Sequence, residues 1–151
     1  MRILVLNGPN LGTIGRRQPE IYGNVSLAEI HDRLRREAQA LGVDLRWELS
    51  NHEGALIDLI EEETDVADAI VINPGGLAHT SVVLADALRA FGRPVVEVHL
   101  SNILSREEYR RTSHVAAAAA AVITGAGADG YVMGLQVAAR LAAESTTETE
   151  A

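Results

Sequence analysis

Hydrogen-bonding side chains stand where four hydrophobic runs of this chain stop. Asn7 follows Ile3-Leu4-Val5-Leu6, Ser50-Asn51-His52 follows the run from Val43 to Leu49, Asn73 follows that from Ala69 to Ile72, and His99 follows that from Pro94 to Val98. Asparagine and serine are frequent turn formers, so one such end says little. Four in one chain mark the rim of a crevice. Around them lie groups that can move protons and hold anions. His99 suits proton exchange near neutral pH, and Tyr22 is the single tyrosine of the segment from Gly8 to Gly23. Arg16, Arg17, Arg106, Arg110 and Arg111 fall in just two segments of an acidic chain. A carboxylate or phosphate would be drawn there. The chemistry this set suits is proton transfer on an anionic organic substrate. Blander readings fit too: Arg106 to Arg111 as a solvated helix face, and Tyr22 as a loop aromatic packed on the domain. His31 and His114 lack such company and read as ordinary surface residues.

Composition removes several alternatives. The 151 residues carry a net charge of −8, which leaves no global basic field for nucleic acid. There is no cysteine, hence no disulfide, thiolate metal site or cysteine nucleophile. There is also no lysine, since all 13 basic residues are arginine, so neither a lysine imine nor a Walker lysine can form. Gly8, Gly12 and Gly15 lack the close pair of a dinucleotide fingerprint. Asn7 and Asn73 stand where a phosphoacceptor receiver would need acids, and no metal-ligand spacing surrounds His79 and His99. No signal-peptide pattern or long unbroken apolar run appears, so the expectation is a soluble cytoplasmic protein that binds neither membrane nor nucleic acid.

The elements that must position these residues alternate strand and helix. Ile3 to Leu6 has the composition of a strand buried on both faces. The glycine- and proline-rich segment after it, about residues 8–25, can form neither a packed helix nor a strand and reads as a lid or binding loop. Ser26-Leu27-Ala28-Glu29 is a capping box, opening a helix that Gly42 ends. Val43 to Leu49 is the second strand, Gly54 to Glu63 the next helix and Ala69 to Ile72 the third strand. Ser81 to Phe91 is a helix closed by Gly92, and Pro94 to Val98 the fourth strand. Ser105 to Glu108 looks like a second capping box starting a short helix. Ala119 to Thr124 can form a fifth strand, although the alanines from 116 to 121 have equal helical propensity. Asp129 to Ala143 is the last helix. The expectation is one α/β domain over residues 1–144 with a mainly parallel sheet, then a polar, disordered tail over 145–151. Such sheets bind ligands beyond the carboxyl ends of their strands.

Several blocks together resemble a known family. Asn7-Gly-Pro-Asn-Leu-Gly12, Gly15-Arg-Arg17 and Pro19-Glu-Ile-Tyr-Gly23 are similar to the opening signature of the type II 3-dehydroquinate dehydratases. The likeness continues through Ser50-Asn-His-Glu-Gly54, Asn73-Pro-Gly-Gly76, His79-Thr-Ser81, Glu97-Val-His-Leu-Ser-Asn102 and Arg106-Glu-Glu-Tyr-Arg-Arg111. Ile14, where leucine is usual, is a mild departure. The resemblance implies a flavodoxin-like, doubly wound sandwich with a five-stranded parallel sheet. It implies dehydration of 3-dehydroquinate to 3-dehydroshikimate by anti elimination through an enolate, without metal or organic cofactor. The type I enzymes, which work through a lysine imine, are excluded by the missing lysines.

By the same resemblance, Tyr22 removes the C2 proton, Arg17 favours its phenolate form, and Asn10 helps hold a water against the enolate oxygen. His99 protonates the departing C1 hydroxyl and Glu97 orients it. Asn73, His79, Arg110 and the backbone amides of Leu100 and Ser101 hold the substrate. Asp86 reaches a neighbouring subunit's site in a dodecamer of trimers. The resemblance leaves open biosynthesis of aromatic compounds through the shikimate pathway or breakdown of quinate. From the residues alone, a non-catalytic binding module on the same fold and a lyase or isomerase acting on another cyclic hydroxy acid also remain.

Overall fold

Runs such as Ile3-Leu4-Val5-Leu6 and Ala69-Ile70-Val71-Ile72 are buried on both faces, as central strands of a parallel sheet must be. The computed structural model, which describes residues 1–16 and 18–149, places them so. Strands β1 (Arg2–Asn7), β2 (Asp44–Leu49), β3 (Ala69–Asn73), β4 (Val95–His99) and β5 (Ala121–Thr124) pair only in parallel, in the order β2-β1-β3-β4-β5. Between and after them come α1 (Pro19–Tyr22), α2 (Leu27–Leu41), α3 (Glu53–Glu63), α4 (Val82–Phe91) and α5 (Asp129–Thr149). This is the flavodoxin-like order, and its switch point lies between β1 and β3.

Period-2 alternation divides the core. Ile3, Val5, Val71, Val96 and Val98 pack against Leu27, Ile30 and Leu34 of α2 and Leu135 and Ala138 of α5. Leu4, Leu6, Ile70, Ile72 and Val95 face Leu56 and Ile60 of α3 and Leu84 and Leu88 of α4. Helix α5 lies close on the sheet because Gly134 has no side chain: a Cβ there would sit 2.8 Å from Val98 Cγ2. At the carboxyl end, a Cβ on Gly8 would stand 2.5 Å from the Pro74 carbonyl oxygen, so the chains leaving β1 and β3 touch. Only glycine permits that crossing.

The capping box of α2 is present in both directions, with Gly42 closing the helix at φ 68°. Three expectations need correction. The loop after β1 contains a 3₁₀ turn over Leu11–Thr13 and the one-turn helix α1, which Pro19 starts at a position where a missing N–H costs nothing. Ser105 does not begin a helix. Asn102 caps that segment instead, by accepting from the Leu104 amide, while Arg106 is extended at φ −99° and ψ −160°, leaving two 3₁₀ turns, Ile103–Ser105 and Glu108–Arg110. Finally, α5 runs past Ala143 to Thr149, so the start of the expected tail is helical. Ser145, Thr146 and Thr147 return their hydroxyls to carbonyls four residues back, a bond that lets such residues sit in a helix. Residues 150 and 151 lie outside the described residues.

Candidate active site

The cleft opens at the switch point, where Asn7 and Asn73 are paired in register as the last residues of β1 and β3. Both are buried. Behind them Tyr131 of α5 is fully buried, accepting from Asn73 Nδ2 at 2.9 Å and donating to Asn7 Oδ1 at 2.8 Å. Burial pushes the Tyr131 phenol far above the ordinary tyrosine range, against the bond from Asn73. It therefore stays a neutral phenol and cannot serve as a base.

One wall comes from the end of β4. Residues two apart on a strand share a face, so Glu97 and His99 lie side by side, with His99 Nε2 and Glu97 Oε1 2.5 Å apart. The same oxygen accepts from Ser113 Oγ at 2.8 Å, and the Ser113 hydroxyl in turn accepts from the Ala116 amide. Glu97 Oε2 is buried without a hydrogen-bond partner among the described residues. With Nε2–H committed to the carboxylate, Nδ1 is the histidine nitrogen free to exchange a proton with a bound molecule. His79 stands next to His99, ring centroids 6.2 Å apart. Its Nδ1 donates to the Thr112 carbonyl at 2.8 Å, which leaves Nε2 as an acceptor.

The opposite wall is Tyr22, at the end of α1. Arg106 Nη1 donates to the Tyr22 hydroxyl at 2.8 Å and the guanidinium lies 5.2 Å from the ring centroid. Arg106 is also tied to Glu107, with Nε and Oε2 3.4 Å apart. A cation so placed would attract an anionic ligand lying beside the phenol. Tyr22, His99, His79, Asn73, Asn10, Leu100, Ser101, Arg106 and Arg110 all line one cavity of about 100 Å³. The expected site residues are thus gathered, with three exceptions. Glu97 lies behind His99 and does not line the cavity. Asp86 projects from the outer face of α4, paired with Arg89 at 2.9 Å. Arg17 lies outside the described residues. Among the described residues no group of three or more His, Cys, Asp or Glu could hold a metal ion.

Sequence reasoning missed three contributors. Arg106 was visible as part of the arginine cluster, yet a solvated helix face fitted it equally well. Ser113 and Tyr131 carried no local signal, because each acts across a long sequence separation. His31, read as a surface residue, is partly covered and stacks on Trp47 at 4.6 Å between ring centroids.

Fold and site define an α/β protein of flavodoxin-like topology whose switch-point cleft is equipped for acid–base chemistry on a small oxygen-rich molecule. Residues 1–139 match the family model for dehydroquinase class II, and the chain belongs to that family. It is 50% identical over 139 residues to the 3-dehydroquinate dehydratase of Gloeobacter violaceus, covering 92% of this chain and 87% of that one. Against the 3-dehydroquinate dehydratase of Desulforudis audaxviator the identity is 51% over 141 residues, 93% and 94% of the two chains. The crystal structure of a type II dehydroquinase from Butyrivibrio crossotus superposes with a TM-score of 0.89 at 38% identity, over 91% of this chain and 96% of that one.

Proposed function

We propose that this chain is a 3-dehydroquinate dehydratase acting by cofactor-free elimination through an enolate, in the shikimate route to aromatic amino acids. Tyr22 takes the C2 proton and the electron pair moves onto the C3 carbonyl oxygen, where a water held by Asn10 receives the charge. His99 gives a proton to the C1 hydroxyl, which leaves as water as the enolate collapses to the conjugated enone. The Tyr22 proton then returns to His99, so both groups are restored. Glu97 keeps the imidazole oriented. The observation that carries the reading is the pair of facing groups: Tyr22 with a guanidinium on its oxygen, and His99 backed by a buried carboxylate, on one cavity. Asn73, His79, Arg110 and the Leu100 and Ser101 amides hold the carboxylate and hydroxyls. Arg17 joins Arg106 in supporting the base.

Residues 1–144 act as one catalytic domain, with the segment about 8–25 as a lid. Twelve chains assemble in trimers, with Asp86 completing a neighbour's site. Val82 and Val83, each more than half exposed beside Asp86 on α4, support that outer face as a contact surface. A cytoplasmic location belongs to the same reading, and no described helix is long and apolar enough to cross a membrane. The test is direct: mix the protein with 3-dehydroquinate and follow the absorbance of the conjugated enone. Appearance of the enone, undiminished by a chelator or by prior treatment of the protein with borohydride and substrate followed by removal of both, is the expected result. Tight binding of 3-dehydroquinate without turnover would make the chain a binding module instead.

A further inference from the structure

A line of hydrogen bonds runs behind the cleft from the edge strand to the loop after β3. Asn7 Nδ2 donates to the Glu48 carbonyl at 3.0 Å, Tyr131 donates to Asn7 Oδ1, Asn73 Nδ2 donates to Tyr131, and the Gly75 amide donates to Asn73 Oδ1 at 3.2 Å. The two ends are chemically fixed. A backbone carbonyl can only accept and a backbone N–H can only donate. Starting from Glu48, the Asn7 amide must point its nitrogen outward and its oxygen at Tyr131. Tyr131 has a single hydroxyl proton, which goes to that oxygen, so it can only accept from Asn73. Starting from Gly75, Asn73 must turn its oxygen to the loop and its nitrogen to Tyr131. Both directions meet at the Tyr131 hydroxyl without conflict. Flipping either asparagine would set donor against donor or acceptor against acceptor.

We infer that Tyr131 is a positioning residue, which sets the plane and sense of the Asn73 amide before any substrate arrives. This rests on the reading of Asn73 as a substrate-binding residue. Of Asn73, the line leaves one N–H and one lone pair to give, in fixed directions. A phenylalanine at 131 would fill the same space and lie on the same sheet, but Asn73 Nδ2 and Asn7 Oδ1 would lose their partner. The amide would then be held at its oxygen alone, by the Gly75 amide, with nothing to fix its nitrogen. The hydroxyl, rather than the ring, carries the function.

Tyr131→Phe and Asn7→Ala test this, since neither residue lines the cavity, and the first removes the hydroxyl itself while the second removes its acceptor. With 3-dehydroquinate, Tyr131→Phe should raise KM about tenfold while kcat stays within about threefold, the pattern of lost ground-state and transition-state binding alike. Asn7→Ala should also raise KM, and it serves alone if Tyr131→Phe does not fold. In an Asn73→Ala background neither change should raise KM further, although both should still lower Tm. An unaltered KM in a folded single variant, or a KM effect that persists without Asn73, overturns the inference. A readout independent of turnover is the Asn73 side-chain amide resonance, assigned by its loss in Asn73→Ala. Tyr131→Phe should shift it and speed its hydrogen exchange. An unchanged resonance also overturns the inference, whereas a shifted resonance in a chain inactive on 3-dehydroquinate would leave the positioning intact and remove the dehydratase reading.

Discussion

The two walls of the cleft are held in different ways. On the strand side each polar group is tied from behind: His99 to Glu97, Glu97 to Ser113, Asn73 to Tyr131, and all four exposures fall at or below 5% for Asn73, Glu97, His99 and Tyr131. On the other side Tyr22 is only half-buried and rides on a single helical turn, between Gln18 at φ 44° and Gly23 at φ 78°. One turn of helix has no stability of its own. Tyr22 is held by its packing on the core and by an arginine that arrives from another segment. Folding alone therefore sets the histidine wall, whereas the tyrosine wall is the meeting of two loops. In the proposed reading this second wall is the lid that closes on a bound substrate.

The change with the largest expected effect removes the hydroxyl of the tyrosine wall. Tyr22→Phe keeps the ring and should lower kcat by about 10³-fold, within the range typical of a lost general base, with little change in KM. Turnover within tenfold of wild type would end the assignment of Tyr22 as base. Glu97→Gln attacks the rigid wall. The amide keeps the size but not the charge behind His99, and kcat should fall by about 10²-fold while the sensitivity of the segment around Arg16 to protease stays as it was. Arg106→Ala should cost about 30-fold in kcat and, unlike Glu97→Gln, speed tryptic cleavage at exposed Arg16, because the contact that pins α1 is gone. Equal cleavage rates in the two variants would dissolve the contrast between the walls.

The smallest effect comes from behind the rigid wall, where Trp47 stacks on His31 and stands 6.0 Å from the Tyr131 ring. Burial first, then the nearby Arg35 charge, lowers the His31 pKa, opposed by Asp32. A depressed folded-state value means that the unfolded chain binds the proton more readily. The stability contributed by neutral His31 is thus present above the ordinary histidine value of about 6.5 and is lost as pH falls through the lower folded-state value. A slight drop in Tm on acidification across that interval should accompany quenching of the single tryptophan, and His31→Asn should remove the quenching step. A fluorescence midpoint above the ordinary histidine value would contradict the assigned burial effect.

Much of the site was legible because it is built from chain-local features. Asn7, Asn73 and His99 end hydrophobic runs, so strand direction alone carries them to one edge of the sheet. Glu97 is two residues from His99, and period-2 geometry puts the two on one face. The α2 capping box and its Gly42 stop are satisfied within a few residues. Where local rules failed, a tertiary contact had taken the residue. Ser105-Arg106-Glu107-Glu108 has the letters of a capping box, but the Arg106 side chain is drawn into the cleft and the backbone extends to let it go.

The sequence by itself thus determined the parallel α/β class, the family, and the rim of strand-end groups, because hydrophobic period, caps and motif order are read from neighbours in the chain. Tertiary structure alone decided the partners behind them. Tyr22 and Arg106 are 84 residues apart, Asn73 and Tyr131 are 58 apart, and Tyr131 and Asn7 are 124 apart. No spacing rule reaches that far. Such pairs form because the close seat of α5, permitted at Gly134, brings a phenol under two strand ends, and because burial then leaves each polar group only the partner that the fold supplies.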